Sequence, residues 1–557
     1  MMAIATPTIS RITTPCGSFA ADSGTGGPVR LRALYAAYTA CRRGKRQARN
    51  TMAYEARALD RLIETRDALN DRSWRPSRTL CFVVDRPKAR EIHAADFGDR
   101  VVHHWLVPRL ERWFEPVFIH DSYSNRKGRG THAAVDRLQH FVQQATRSGK
   151  LKAWYLQLDI ANFFNSIDRE ILYRLIRQRA ERVWRAEKAQ VAQADRSQSE
   201  ERHAELNFCL WLCRTLLEHD AGASAIARAP AQALARVPAH KQLKNAPPGV
   251  GLPIGNLTSQ FFANVYLDRL DQFVKHTLQV RHYLRYVDDF VLLHEDPAQL
   301  LRWRDAIVHF LDEHLALRLK VQAEPLPVGG GIDFLGYVTR RTYRLPRRRV
   351  LRQAQARLSG FAAALVQPVR AGTVIRWVPR LRNALRASWA STLGHLKQSA
   401  SQRQAQALWQ AHPWARSAFA LDARNFQLRQ RFEPPSVTSY AGQKRWFARR
   451  FPAAAVLVQK GWGYELLDGA ASKASAKPGT PTKANARAAA NAMHPVARVH
   501  RLVERLRRAG RAYVIVREEG YLKRGLKRRT LSEIGWPSPK PPRPLASPIL
   551  PHHFQAE

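Results

Sequence analysis

RHYLRYVDDFVLLHED, residues 281–296, is the stretch that decides the fold, because it sets two adjacent acids between two apolar segments. Its β-branched and aromatic residues predict two strands, and the short connection between them predicts a tight hairpin. Asp288 and Asp289 would then sit at the edge of a buried sheet, where ionised carboxylates lose hydration and repel each other. A divalent metal relieves that repulsion. An ordinary turn is the plainer interpretation, because Asp is common in turns.

A third acid follows a second apolar strand. In WYLQLDIANFFNSID (154–168), Asp159 comes directly after YLQL and before a predicted turn and helix start. A carboxylate from a neighbouring strand would complete an oxygen-rich site for two Mg²⁺ ions about 3.5–4 Å apart, and Mn²⁺ suits the same ligands. Such ions lower the pKa of an attacking hydroxyl and neutralise the leaving phosphate, which is the chemistry of nucleotidyl transfer.

The charge balance points to a polyanionic partner. Lys and Arg number 91 against 45 Asp and Glu, a formal net charge of +46. Such a surplus repels itself unless a polyanion lies nearby, and nucleic acid is the common one, because its phosphates attract Lys and Arg. An Arg-rich composition on ordinary solvated faces is the alternative interpretation, and charge alone names no reaction.

Length and composition limit the class of protein. The chain has 557 residues, of which 45% are hydrophobic, which excludes wholesale disorder and allows several domains. No transmembrane-length apolar run appears, and the first residues lack a basic region leading into an apolar one. We therefore expect a soluble cytoplasmic protein without a membrane partner. The five cysteines are too scattered for a disulfide framework, and Cys209 and Cys213 lack a second ligand pair for zinc.

Further motifs, taken in order along 75–420, resemble those of reverse transcriptases. YVDDF (286–290) resembles the palm motif with two catalytic aspartates, and LDIANFF (158–164) resembles the motif with the first metal-binding aspartate. The others resemble two fingers motifs, the template- and nucleotide-positioning segment and the primer-grip hairpin: RPKAREIHAADFGDRVVHH (86–104), SYSNRKGRGTHAAVDRL (122–138), GLPIGNLTSQFFAN (251–264) and GIDFLGY (331–337). The resemblance implies an RNA-directed DNA polymerase whose partners are an RNA template, a DNA or RNA primer and dNTPs.

The resemblance also implies roles for individual residues. The metal ligands would be Asp159, Asp288, Asp289 and the main-chain carbonyl of Ile160. The residues that contact the incoming nucleotide or the template would be Arg90, Arg126, Phe164, Gly255 and Gln260, and Lys320 would protonate the leaving pyrophosphate. Phe164 matches the aromatic residue that excludes a ribose 2′-hydroxyl, and the two guanidinium groups would bind the triphosphate. On the residues alone, Phe164 could equally be a core aromatic and the arginines solvated surface.

The form Ile254-Gly255…Ser259-Gln260 resembles bacterial retroelement enzymes, in particular those of diversity-generating retroelements. Group II intron reverse transcriptases, which are also similar, usually have Gln-Gly…Ser-Pro there. Exchanging Gln for Ile removes a polar group near the nascent base pair, so we hypothesise error-prone copying; misincorporation opposite template adenine measures it. An associated non-coding RNA is a further candidate partner.

The expected fold class is α+β: a right-hand polymerase with fingers, palm and thumb, an antiparallel palm sheet, a helical thumb and an appended small α/β domain. The thumb would track the phosphates of the template–primer duplex. The predicted divisions are a flexible leader (1–28), N-terminal helices and fingers (29–150), a palm (151–345) with a helical insertion (about 180–247), a helical thumb (346–430), a small α/β domain (431–535) with a low-complexity loop (470–493), and a Pro-rich tail (536–557).

The C-terminal region resembles the N-terminal, mismatch-recognition domain of the mismatch-repair protein MutS. PAAAVLVQKGWGYELLD (452–468) matches a strand and turn of that domain, and we expect this turn to lead into a helix. HRLVERLRRAGRAYVIVREE (500–519) matches its helix, glycine and strand. Trp462 and Glu465 would contact nucleic acid, whereas Gly463 stands where that domain has its wedge phenylalanine. A basic α/β domain without a reading function is the alternative.

Two alternatives to a retroelement polymerase stay open. A catalytically idle, nucleic-acid-binding scaffold would carry the same positive charge, but three carboxylates together with an aromatic gate favour an active enzyme. An active enzyme could serve phage defence instead of element mobility, and the sequence does not separate these roles.

Overall fold

The chain folds as two compact units, the first unit (1–134 and 154–326) and the second unit (135–153 and 327–557). Both mix helices with mainly antiparallel sheets, as the α+β class requires. The computed structural model describes residues 27–84, 88–191, 196–321, 323–369, 372–434, 439–468, 493–522 and 525–537. Nearly all of the predicted leader (1–28), low-complexity loop (470–493) and Pro-rich tail (536–557) lies outside these residues.

The first unit carries the motifs that contain the aspartates. Its helices are α1 (Leu31–Cys41), α2 (Arg49–Glu55), α3 (Ala58–Asn70), α4 (Phe97–Phe114), α5 (Thr131–Ala145, which continues into the second unit), α6 (Phe163–Ser166), α7 (Arg169–Val191), α8 (Arg196–Glu218), α9 (Ala231–Leu234), α10 (Leu257–Gln272) and α11 (Pro297–Leu315). Its strands are β1 (Leu80–Val84), β2 (Arg90–Ala94), β3 (Trp154–Asp159), β4 (Ile226–Ala227), β5 (His282–Tyr286), β6 (Asp289–His294) and β7 (Leu326–Pro327).

A four-stranded sheet in the order β5-β6-β3-β7 forms the centre of the first unit. β6 is antiparallel to both of its neighbours, β5 and β3. Residues Phe290 to Leu293 of β6 are all buried, without alternation, because α11 covers one face of the sheet and other parts of the unit cover the other. The predicted hairpin at 281–296 is therefore present, and α11 follows it.

The core of the first unit is built from large aromatic side chains on its helices. Trp105 of α4 and Phe208 of α8 meet edge to face, with ring centroids 5.5 Å apart, and Tyr266 of α10 is fully buried. Such packing fixes α10, which is the helix that lies behind the aspartate hairpin. No helix in the described part of the chain is long and apolar enough to cross a membrane.

A small three-stranded sheet, in the order β2-β1-β4, carries the predicted fingers strand. β1 and β2 pair antiparallel. β4 joins β1 in parallel from the far end of the 180–247 insertion. This insertion is helical in its first half, where α7 and α8 pack against each other, and irregular in its second half.

The second unit contains the remaining elements. Its helices are α12 (Arg348–Leu365), α13 (Pro379–Leu396), α14 (Gln402–Gln410), α15 (Tyr440–Arg450) and α16 (Val499–Arg508). Its strands are β8 (Ile332–Phe334), β9 (Tyr337–Thr339), β10 (Arg344–Pro346), β11 (Val366–Val369), β12 (Gly372–Arg376), β13 (Phe419–Asp422), β14 (Gln427–Gln430), β15 (Ala455–Lys460), β16 (Gly463–Asp468), β17 (Met493–Pro495), β18 (Tyr513–Tyr521) and β19 (Lys527–Trp536). The hairpin predicted at 331–345 is present as β8, β9 and β10.

The segment 346–430, predicted as a helical thumb, is not entirely helical. β11 and β12 form a hairpin within it, and β12 pairs antiparallel with β19, so that one seven-stranded sheet crosses the predicted boundary after residue 430. The β-branched residues Val374 and Ile375 are buried in this sheet, which explains why the local sequence forms a strand. A helical periodicity on both sides concealed this short hairpin.

The stretch 463–468, predicted to lead into a helix, is instead the strand β16. It pairs with β15 through a two-residue turn, Gly461 and Trp462. Gly461 has φ 57°, the left-handed conformation that such turns require and that glycine supplies at little cost. The prediction of helix, glycine and strand over 499–520 is confirmed, because α16 ends at Arg508, Gly510 has φ 61° and β18 begins at Tyr513.

Gly372 sets the pairing of β12 with β19, and we predict that Gly372→Ala destabilises the second unit by about 1–3 kcal/mol. Its φ is 148°, and a Cβ there would lie 2.2 Å from the carbonyl oxygen of Trp536. Urea unfolding followed by tryptophan fluorescence measures the change. The control is Gly360→Ala in α12, where a Cβ meets nothing within 4 Å; we expect it to be neutral or stabilising by about 0.5–1 kcal/mol. Equal stability of the two variants would contradict this account.

Candidate active site

The predicted aspartates meet at one end of the four-stranded sheet. The register of β3 and β6 sets Asp159 directly opposite Asp289. Asp289 also pairs with Tyr286 of β5, so the tight turn between β5 and β6 carries Asp288. The main-chain N–H of Ile160 donates to the carbonyl oxygen of Asp288 at 3.4 Å. Residues that are far apart in the sequence are thus brought to one end of the two central strands of the sheet, as the two motifs predicted.

The turn that carries Asp288 has an unusual backbone. Val287, its first residue, has φ 58°, a conformation that a β-branched residue rarely adopts and that usually requires glycine. Such a residue costs about 1–3 kcal/mol and persists only where the surrounding structure holds it. Arg285 provides that restraint, because one guanidinium nitrogen donates to the carbonyl oxygen of Val287 at 2.9 Å.

Arg285 itself is held by a buried ion pair with Asp271 of α10. The two side chains are 1% and 0% exposed, and the guanidinium contacts both carboxylate oxygens, at 2.8 and 2.6 Å. The hydroxyl of Tyr283 donates to the same carboxylate at 2.7 Å. Burial acts to lower the pKa of Arg285, but the Asp271 charge outweighs burial and the pKa is raised. Arg285 therefore stays charged and locks β5 to α10.

The guanidinium of Arg285 also donates hydrogen bonds to a loop residue, Ser122, and to a second residue of α10, Asn264. Its guanidinium donates to the hydroxyl of Ser122 at 3.2 Å and to the amide oxygen of Asn264 at 3.3 Å. The amide nitrogen of Asn264 donates in turn to the carbonyl oxygen of Ser124 at 2.8 Å. A buried charge is tolerated when its donors are satisfied in this way. The predicted nucleotide-positioning helix, α10, is thereby tied to the aspartate hairpin.

The pKa of Asp288 is raised above its ordinary value. Burial is the first cause that raises its pKa, and the neighbouring Asp159 raises the pKa further. Arg90 and Lys320 are the positive groups that lower the pKa, but they do not compensate fully. An additional positive charge beside Asp288 and Asp159 would therefore be bound favourably.

Lys320 lies directly on the first predicted metal ligand. Its ammonium group contacts a carboxylate oxygen of Asp159 at 2.8 Å. The main-chain N–H of Lys320 donates to the carbonyl oxygen of Asp159 at 2.8 Å, and Ala161 donates to that of Arg318 at 2.8 Å. Residues 318–320 thus run beside the end of β3. The hydrogen bond that Lys320 donates to Asp159 is the first cause that raises the pKa of Lys320, followed by the charges of the aspartates.

Gln157 is a site residue that the sequence reasoning missed. It lies two residues before Asp159 on β3, hence on the same face, and its amide nitrogen contacts both carboxylate oxygens of Asp289, at 3.0 and 3.3 Å. The sequence did carry a signal for Gln157, because a residue two positions from a predicted catalytic aspartate shares its face of the strand. Gln157 orients Asp289 without adding charge.

The donors at this edge fit a hard divalent cation. They are carboxylate oxygens and main-chain carbonyls, which Mg²⁺ and Mn²⁺ prefer, and the raised pKa of Asp288 indicates unbalanced negative charge. The oxygens of the three carboxylates do not all lie within 4.8 Å of one another. Among the described residues, a different set of three potential ligands meets this criterion. Lys320 and Gln157 hold Asp159 and Asp289, respectively, so a cation would replace the Lys320 contact and draw the carboxylates together.

Phe164 and Gln260 lie on adjoining elements of the first unit. Phe164, in the short helix α6, is partly buried against the core, with its ring 5.4 Å from that of Phe163. Its carbonyl oxygen accepts from the main-chain N–H of Leu252 at 2.7 Å, which fixes the start of the 251–264 segment beside it. Gln260 is half-buried in the first turn of α10. Both positions are compatible with the predicted roles.

Gly255 is closely approached by protein rather than open to a nucleotide. It has φ 122°, and a Cβ there would lie 2.8 Å from the side chain of Ile92 on β2. The N–H of His93 donates to the carbonyl oxygen of Ile254 at 2.8 Å, and Asn256 accepts from Ala95 at 2.9 Å. The close approach inferred from the sequence is present, but its partner is a strand of the same unit.

The two predicted triphosphate-binding arginines differ. Arg90 is exposed on β2 and acts electrostatically on Asp288, as predicted for a group near the site. Arg126 has a side chain only 5% exposed, which is paired with Glu115 at 2.9 Å and also donates to the carbonyl oxygen of Ile119 at 2.8 Å. The guanidinium of Arg126 is therefore committed to its own loop, and the predicted phosphate contact is not available in this conformation.

Trp462 and Glu465, the two candidate nucleic-acid contacts of the C-terminal region, also differ in their exposure. Trp462 is 70% exposed at the tip of the β15–β16 turn. Glu465 on β16 is instead held internally by the ammonium group of Lys444 at 2.7 Å and by the hydroxyl of Tyr440. Burial acts to raise the pKa of Glu465, but these hydrogen bonds outweigh it and the pKa is lowered. The predicted nucleic-acid contact of Glu465 therefore competes with an existing ion pair.

Comparisons with known proteins find weak structural similarity to solved telomerases. No protein-family model matches the chain, and no curated protein matches it. Apo telomerase from Candida tropicalis is similar with a TM-score of 0.34 and 10% identity, over 62% of this chain and 59% of that chain. Telomerase from Candida albicans in complex with a fragment of telomeric RNA gives 0.33 and 11%, over 60% and 55%. The chain thus spans less than two thirds of these telomerases, and such values are too low to assign a family.

We predict that Arg285→Met destabilises the first unit by about 3–5 kcal/mol, because it leaves the Asp271 carboxylate buried without its counter-charge. Urea unfolding combined with hydrogen exchange of the β5 and β6 amides measures the loss. The matched control is Arg302→Met, which removes a pair with Asp296 whose arginine side chain is 63% exposed; we expect a change of at most about 1 kcal/mol. If the two variants lose the same stability, Arg285 does not restrain the hairpin.

Proposed function

We propose that this chain is an RNA-directed DNA polymerase, which extends a primer with dNTPs along an RNA template by two-metal nucleotidyl transfer. The observation that carries the proposal is the meeting of Asp159, Asp288 and Asp289 at one edge of an antiparallel sheet. Lys320 and Arg90 add positive charge at the same edge. A purely structural set of carboxylates would not need to be gathered from separate motifs against their mutual repulsion.

In this reaction the 3′-oxygen of the primer forms a bond to the α-phosphorus, and the bond from that phosphorus to the pyrophosphate oxygen breaks. A bound pair of Mg²⁺ ions supplies a lowered pKa for the 3′-hydroxyl and neutralises charge on the pyrophosphate. Asp159 and Asp288, with the carbonyl of Ile160, are the proposed ligands. Asp289 is the third, and Gln157 keeps its carboxylate directed along β6.

Lys320 is the proposed proton donor to the leaving pyrophosphate. Its pKa is raised, first by the hydrogen bond with Asp159, so it carries a proton at neutral pH. Release of Asp159 to a cation would free this ammonium for the phosphate oxygens, where it would also neutralise charge. Arg90, exposed on β2, is proposed to contact the same phosphates.

The second unit is proposed to hold the template–primer duplex through its phosphates. α16 presents an exposed row of arginines, Arg498, Arg501, Arg505 and Arg508, opposite a face formed by Val499, Leu502, Val503 and Leu506. Guanidinium groups at this helical spacing bind a phosphate backbone without reading sequence. The finer parts of the same proposal are an origin in a bacterial retroelement, error-prone copying and a MutS-like reading of distorted duplex. A phage-defence role is the alternative to element mobility.

We predict that Asp288→Asn lowers primer extension on an RNA template with Mg²⁺ by on the order of 10²–10³-fold or more. Because the pKa of Asp288 is raised, the neutral isostere should leave the unfolding temperature unchanged or higher. The matched control is Asp305→Asn, at a side chain 66% exposed on α11, which should keep full activity.

Extension by Asp288→Asn at the rate of the parent protein would refute the assigned site and favour the idle scaffold. Robust extension by the parent protein with NTPs in place of dNTPs would favour an RNA-making polymerase.

Nucleotide selection tests the position of Phe164. Phe164→Ala should raise the incorporation of ribonucleotides relative to deoxyribonucleotides by about tenfold or more, because the loss of a bulky side chain removes a steric conflict worth at least about 1.4 kcal/mol. Single-nucleotide primer extension with matched dNTP and NTP measures this ratio. Phe82→Ala, at a residue 38% exposed on β1, is the control with the same change of side chain. An unchanged ratio in Phe164→Ala would assign Phe164 to the core alone.

A further inference from the structure

A cysteine, a glutamate and a histidine lie together inside the small sheet of the first unit. The register of β1 and β2 sets Cys81 directly opposite His93. Glu91 lies two residues before His93 on β2, so all three side chains lie on one face of the hairpin. These side chains are buried, with exposures of 4%, 7% and 2% for Cys81, Glu91 and His93. The residues play no part in the proposed polymerase reaction.

The potential ligand atoms of these residues converge on one point. The Cys81 sulfur lies 3.4 Å from one carboxylate oxygen of Glu91, and Nε2 of His93 lies 3.1 Å from the other. The three ligand atoms all lie within 4.8 Å of one another, which no other set of His, Cys, Asp and Glu in the described residues achieves with three members.

His93 supplies a second, independent observation. Both of its ring nitrogens are buried, and neither makes a hydrogen bond of acceptable geometry with another described residue. A buried polar group without a partner costs about 1–3 kcal/mol, so native structures rarely leave one unsatisfied. The Nε2 atom lies at ion-pair distance from the Glu91 carboxylate and Nδ1 has no hydrogen-bond partner, which is how the ring of a metal ligand is placed.

We propose that Cys81, Glu91 and His93 bind a divalent cation of the zinc class as a structural site. Sulfur, imidazole nitrogen and carboxylate oxygen together suit Zn²⁺ and do not suit Mg²⁺ or Ca²⁺, which take oxygen ligands. Zinc bonds of about 2.0–2.3 Å in a tetrahedron separate neighbouring ligand atoms by about 3.3–3.6 Å. The Cys81 sulfur and His93 Nε2 lie 3.4 and 3.1 Å from the two different carboxylate oxygens of Glu91, separations of this order, and a water molecule would complete the fourth corner.

The proposed site would fix the part of the first unit that presents Arg90. Glu91 also accepts from the main-chain N–H of Leu243 at 2.8 Å, which ties the 239–245 segment to the hairpin. Alternation along β2 places Arg90 on the opposite face from Glu91 and His93. A cation on the buried face would therefore stiffen the strand whose other face carries the proposed phosphate-binding arginine.

The experiment measures zinc in the full chain after purification from zinc-supplemented cells and dialysis against metal-free buffer. We expect one zinc per chain in the parent protein, and at least about tenfold less in Cys81→Ser and His93→Gln. Cys41→Ser is the matched control, because Cys41 is also a buried free cysteine of the first unit, and it should retain the metal. Asp288→Asn should retain it as well, which excludes the aspartates as the ligands.

Cobalt provides a readout that does not depend on the stability of the variants. Co²⁺ added to metal-free parent protein should give the near-ultraviolet charge-transfer band of a thiolate ligand, absent in Cys81→Ser and present in Cys41→Ser. Parent protein that retains no zinc and gives no thiolate band would overturn the proposal and leave a hydrogen-bonded trio. Zinc retention that Cys81→Ser and His93→Gln leave unchanged would overturn it too, because the metal would lie elsewhere.

Discussion

The buried ion pair between Arg285 and Asp271 is the interaction on which the candidate active site depends. Charges inside a protein are unfavourable unless each donor and acceptor has a partner, and here Tyr283, Ser122 and Asn264 supply the missing ones. The same guanidinium also restrains the turn that carries Asp288. The geometry of the candidate site is thus held from within the core by α10.

Electrostatic balance distinguishes the three aspartates from one another. Lys320 contacts Asp159 and Gln157 contacts Asp289, and the pKa of Asp288 is raised, first by burial and then by the charge of Asp159. A site that keeps its carboxylates ionised without metal needs such internal counter-charges. The lysine therefore has a part in the resting protein as well as in the proposed reaction, and cation binding would exchange one positive charge for another.

Local patterns predicted much of this site, and non-local contacts account for the rest. The hairpin at 281–296 and the strand before Asp159 could be predicted, because apolar β-branched runs and a tight turn are local signals. The burial of Arg126 could not be predicted, since neither its partner Glu115 nor the surrounding loop has a sequence pattern that indicates the contact. β12 was missed because its partner strand β19 lies more than a hundred residues later. The Cys81 cluster was missed because its ligands meet only when β1 and β2 pair.

The pairing of β12 with β19 has a consequence for how this chain can be divided. β12 belongs to a hairpin between two helices, yet its buried residues Val374 and Ile375 are covered by strands that come from the end of the described chain. A shortened chain that stopped after residue 434 would leave an unprotected, apolar strand edge, the kind that promotes self-association. The C-terminal region is accordingly no detachable accessory, and gene fusions or truncations that treat it as one would expose an aggregation-prone surface.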